Sequence, residues 1–128
     1  MSVVVLLILC GGLHLSHGEK LKCQFKGGRF DYVRYVYYCH VTSLDNSFNN
    51  MTIDGFTGPH LANKNDADVK GIYIYDINTN FIPANLGFLF HLTALLVHIS
   101  NLIEIKAENF LEMQELEYLS LQNNKLKN

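Results

Sequence analysis

Charge is scarce in this chain, and cysteine scarcer. Of 128 residues only 17% are charged and the formal net charge is −2, so no whole-molecule field exists to draw in nucleic acid. With about half its residues apolar, the chain has the composition of a packed domain and not of a disordered tail. Its length fits one domain. No charged side chain precedes Glu19, and beyond the N-terminus no apolar run is long enough for a membrane helix. The three cysteines include no C-x-x-C pair, which argues against a zinc site. No G-x-S-x-G, H-E-x-x-H or Walker loop is present, so the sequence supports neither an enzyme nor a cofactor.

What is present begins with an apolar run from Val3 to Leu9, too short to span a bilayer and of the right length for the core of a secretory signal. Ser16 and Gly18 supply small residues at −3 and −1 of a cut before Glu19, although the usual leading Lys or Arg is missing. The competing reading is a buried strand. Residues 1–18 are therefore expected to be a signal peptide, and the mature chain to be secreted and extracellular. Cleavage would remove Cys10 and leave Cys23 and Cys39 as an even pair, expected to form a disulfide in an oxidising compartment. The alternative is two buried thiols. Asn50-Met51-Thr52 is a sequon in a polar stretch, which makes Asn50 a candidate glycosylation site.

The mature chain has two unlike halves. From Glu19 to about Thr42 the pattern has period two. Leu21, Cys23 and Phe25 alternate with Lys20, Lys22 and Gln24; Val33, Tyr35, Tyr37, Cys39 and Val41 alternate with Arg34, Val36, Tyr38, His40 and Thr42. This predicts a β-hairpin turning at Lys26-Gly27-Gly28-Arg29. Residues 19–34 hold five basic and two acidic groups, a net of +3, against −5 for the rest. Such a hairpin has the composition of an acidic-glycan or nucleic-acid binder, but in a secreted chain a solvated strand face is the simpler reading, and nucleic acid is not expected as a partner.

The second half repeats. Leu116-Glu117-Tyr118-Leu119-Ser120-Leu121-Gln122-Asn123-Asn124-Lys125-Leu126 fits L-x-x-L-x-L-x-x-N-x-L throughout. Leu92, Leu95, Val97, Ser100 and Leu102 hold the same register 24 residues earlier, and Val69, Ile72, Ile74, Ile77 and Thr79 hold it 23 earlier again. Short parallel strands are expected near Ile72, Leu95 and Leu119, with the Cys39–Val41 segment extending the sheet. One short helix is expected at about Ala107–Glu115, and Asn124 should use its amide to satisfy backbone groups where the chain turns.

On these motifs the C-terminal half resembles extracellular leucine-rich repeat proteins. The segments 52–61 and 68–74 resemble secreted leucine-rich repeat proteins of insects, in which a cysteine-containing cap precedes the repeats. The resemblance implies an α/β leucine-rich repeat solenoid with a short parallel sheet and a disulfide-stapled N-terminal hairpin. It divides the chain into a cap at 19–68 and about three repeats at 69–128, the last incomplete. Ile77 in place of Asn, and Thr79 in place of Leu, depart from the pattern.

The resemblance further implies a non-catalytic recognition module that binds an extracellular protein or microbial ligand, as in innate immune recognition, through its concave sheet. The alternatives are a matrix or adhesion component whose repeats assemble, or a truncated receptor ectodomain. The alternation places Tyr73, Tyr75 and Asp76, then Leu96, His98 and Ile99, then Tyr118, Ser120, Gln122 and Asn123 on that face, with Gly71 and Ala94 beside them. Tyrosine and exposed aliphatics suit an interface. His60, His91 and His98 are isolated in sequence and read as structural; residues 63–68 form a polar loop without calcium-ligand spacing; no metal site is expected. An uncapped last repeat would leave an open edge and favour dimerisation through the C-terminal end.

Overall fold

A computed structural model describes residues 19–29, 34–44, 53–84, 86 and 91–127. The expected signal peptide and Asn50 lie outside the described residues. Six strands form one mixed sheet: β1 (Glu19–Arg29), β2 (Tyr35–Ser43), β3 (Ile53–Thr57), β4 (Gly71–Tyr75), β5 (Ala94–His98) and β6 (Tyr118–Ser120), in the order β3-β1-β2-β4-β5-β6. β1 and β2 are antiparallel; the β1–β3, β2–β4, β4–β5 and β5–β6 pairs are parallel.

This corrects the expected architecture. The molecule is not a leucine-rich repeat solenoid but a small mixed sheet with almost no helix. The helical elements bounded within the described residues are a 3-10 turn at Asp66–Asp68 and a six-residue helix, α1 (Ala107–Glu112). The apolar spacing of 23 and 24 residues records where the strands recur: Ile72 pairs with Leu95, and Leu95 with Leu119. It does not make the connecting segments alike, and strand positions alone do not define a repeat unit. On the other side of β4 the sheet continues into an antiparallel pair and a further parallel strand, which a solenoid of like repeats would not contain.

A second correction concerns the hairpin. Lys26-Gly27-Gly28-Arg29 is not the turn but the last part of β1, paired with Tyr38, Tyr37, Val36 and Tyr35. Gly27 packs against the end of the Tyr35 side chain, which an added Cβ would overlap. Gly58 is the position that requires glycine: its φ is +131°, and an added Cβ would run into the Cys23 carbonyl.

Strand alternation sends one set of side chains into the core. Leu21, Phe25, Cys39, Val41, Ile72, Ile74, Leu95 and Val97 are buried there, covered by Val69, Ile82, Leu86, Leu92, Leu102 and Met113 from the connecting segments. Cys23 and Cys39 are joined by a disulfide across β1 and β2, with Cα atoms 5.1 Å apart. In the chain-entropy view, closing a loop of this length stabilises the fold by about 3 kcal/mol.

Two polar networks hold the connections. Asn124 donates from its amide to the carbonyls of Val97 (2.6 Å) and Leu121 (3.0 Å) and accepts from the N–H groups of Ser100 (2.9 Å) and Leu102 (3.2 Å), tying the turn after β6 to the turn after β5. At the other end, His60 stacks on Phe25 at 3.9 Å between centroids. Asp66 accepts from His60 Nε2 (2.6 Å) because a carboxylate can only accept. His60 Nδ1 lies 2.8 Å from the Tyr37 hydroxyl, which accepts from the Leu61 N–H (3.1 Å). His60 is thus a structural clasp between β2 and the loop that follows β3.

Candidate functional site

The sheet has a second face, and the same alternation builds it. Opposite the core lie Lys22, Gln24 and Lys26 of β1, Val36, Tyr38 and His40 of β2, Tyr73 and Tyr75 of β4, Ala94, Leu96 and His98 of β5, and Tyr118 and Ser120 of β6. Strand register sets these into rows. One runs Gln24, His40, Tyr73, Leu96, Ser120; the next runs Lys26, Tyr38, Gly71, Ala94, Tyr118. Val36, Ala94 and Leu96 form a small buried floor, against which Tyr38, Tyr73 and Tyr118 pack.

Tyr73 is the hub. Its ring lies 5.2 Å from His40, 5.7 Å from Tyr75 and 5.3 Å from His98. His98 Nε2 is 2.7 Å from the Ser120 hydroxyl, and its Nδ1 is 3.4 Å from the Tyr73 hydroxyl. Burial raises the pKa of Tyr38. Burial, with Tyr75 and Tyr38 adding to it, raises that of Tyr73. Both phenols therefore stay protonated and can donate as well as accept. Burial, then the Lys26 charge, lowers the pKa of His40 and favours the neutral imidazole. The face thus presents amphipathic rings with polar tips, the chemistry of recognition surfaces.

Of the residues assigned from sequence, Tyr73, Tyr75, Leu96, His98, Tyr118 and Ser120 lie together on this face. Asp76, Ile99, Gln122 and Asn123 do not sit on the strands; they form the turns at the strand ends. There Asp76 donates its N–H to the His98 carbonyl (3.0 Å) and Ile99 donates to that of Gln122 (3.2 Å). Asp76, Ile99 and Asn123 all have φ between 53° and 59°. Sequence reasoning missed the contribution of the hairpin: Tyr38, His40 and Val36 continue the face without a break. Their alternation with Tyr37, Cys39 and Val41 was the available signal; the Cys39–Val41 segment was expected to extend the sheet, and what was lacking was the register that sets Tyr38 against Gly71 and His40 against Tyr73.

At one end of the face, where β2, β5 and β6 begin, a cleft of ≈ 330 Å³ opens. Val36, Ala94 and Tyr118 extend into its lining from the face, and Tyr35, Tyr37, Lys64 and Lys70 complete it together with Arg34, Asp68, Thr93 and Glu117. Arg34 forms an ion pair with Glu117 across its mouth. Among the described residues no cluster of three or more His, Cys, Asp and Glu converges, and no helix is long and apolar enough to cross a membrane.

Compared with models of protein families, with curated proteins and with solved structures, the chain shows no match.

Proposed function

We propose that this protein is a non-catalytic recognition module that acts outside the cell and binds a protein ligand through the Tyr/His face of its sheet. One observation carries the reading. Four tyrosines and two histidines contributed by four strands, β2, β4, β5 and β6, share one face, while the aliphatic core is completed on the other. Tyr75 is 44% exposed, as an interface anchor must be before its partner arrives. The Cys23–Cys39 disulfide supports an oxidising compartment and hence export. The test replaces Tyr73, Tyr75 and Tyr118 with Ser and compares the proteins retained from extracellular fluid by the variant and the wild type. Selective loss of retained partners with an unchanged fold supports the reading; identical retention overturns it. Tyr75→Ser alone is the control least able to disturb packing.

A second reading is self-association along β6. This strand closes one end of the sheet order, and Leu119 upon it is 39% exposed. An open edge with apolar side chains is a template for strand pairing. Light scattering at micromolar concentration separates the two: a monomer removes the second reading.

A further inference from the structure

The proposed face carries an imbalance of charge that names its partner more closely. Among the face residues named above, the charged side chains are Lys22 and Lys26. Lys20 is neutralised by Asp54 at 3.2 Å, whereas Lys22 and Lys26 have no carboxylate within ion-pair distance among the described residues. The same holds for Lys64 and Lys70, which line the cleft where the row Lys26, Tyr38, Gly71, Ala94, Tyr118 ends. The carboxylates of that cleft are already engaged: Glu117 with Arg34, and Asp68 with the Asn65 N–H at 2.8 Å.

Resting on the reading of the face given above, we infer that the ligand is an acidic segment of a protein, laid across the strands with one carboxylate-bearing side chain seated in the cleft beside Lys70. Neutral His40 and the protonated phenols supply hydrogen bonds between the charged ends. Ring geometry favours a protein over an acidic polysaccharide. The rings around Tyr73 stand at 53°, 55° and 82° to it and present no flat aromatic platform for sugar rings to stack on. Such tilted rings make an uneven surface suited to side chains.

The experiment uses a fluorescein-labelled synthetic peptide of alternating Glu and Tyr, its Gln-for-Glu analogue, and a heparin fragment, with binding read by anisotropy. The Glu peptide should bind, weaken as salt rises, and lose about tenfold in affinity with Lys26→Glu or with Lys70→Glu. The Gln analogue should bind at least as weakly as those variants do. No binding of the Glu peptide overturns the inference. Equal binding of both peptides, abolished by Tyr75→Ser, overturns the acidic preference and leaves the face standing. Binding that ignores both Tyr75→Ser and Lys26→Glu overturns the face as well. Heparin bound more tightly than the peptide overturns the choice of a protein.

Discussion

The two faces of the sheet are made by the same strands and differ in everything else. Along β4, Ile72 and Ile74 point into the core while Tyr73 and Tyr75 point away. Along β5, Leu95 and Val97 are core, and Leu96 and His98 lie opposite. The core face is aliphatic, covered by the connecting segments and stapled by the disulfide. The other face is aromatic and basic, and its small floor of Val36, Ala94 and Leu96 cannot replace the core. A one-residue alternation thus separates what folds the protein from what is available to a partner.

Truncation on the two sides should therefore have unequal costs. Ile72→Ala removes a fully buried side chain and leaves a cavity in the middle of the sheet; a loss of about 2–5 kcal/mol is expected in denaturant unfolding. A cost below about 1 kcal/mol would mean that the core is not where the burial pattern places it. Replacing Cys23 and Cys39 with Ser should cost about 3 kcal/mol by the same measurement; reduction with no change in midpoint would contradict the staple. Asn124→Ala strands buried backbone groups in two turns and should cost about 1–3 kcal/mol, with hydrogen exchange accelerated at Ser100 and Leu102. Tyr75→Ser, on the opposite face, should shift stability by no more than about 0.5 kcal/mol.

The smallest effect is a pH dependence. In the fold, burial and Lys26 hold the His40 pKa below its ordinary value of 6.5. The unfolded chain then binds the proton more readily, so this contribution is intact above about pH 6.5 and is lost as pH falls from there toward the lowered folded value. His40→Gln should flatten that part of the stability profile. An unchanged slope would show that His40 is not the group responsible.

The strands and the disulfide were legible in the sequence because each follows from a local rule. Period two marks β1 and β2, the shared apolar register marks β4, β5 and β6, and the even cysteine pair marks the staple. The architecture was not legible. The apolar register at Ile72, Leu95 and Leu119 says that strands recur, and it is silent on the segments between them, so it suggested a solenoid where a mixed sheet stands. Ile53–Thr57 has no strong alternation, and its pairing with β1 depends on contacts far apart in sequence. Gly27 and Gly28 carried the signal of a turn but lie within β1, with Gly27 against the Tyr35 side chain. Six of the ten assigned face residues lie together because alternation alone places them. The contribution of Tyr38 and His40 needed the β2–β4 register.

The most direct test of the division between the faces is photo-crosslinking. A benzophenone side chain is introduced at Tyr75 on the open face and, in a second protein, at Glu108 in α1, away from that face. Both are incubated with the acidic Glu–Tyr peptide. Crosslinks formed from position 75 and not from position 108 are the expected result; crosslinks from 108 with none from 75 would contradict the assignment of the Tyr/His face as the recognition surface.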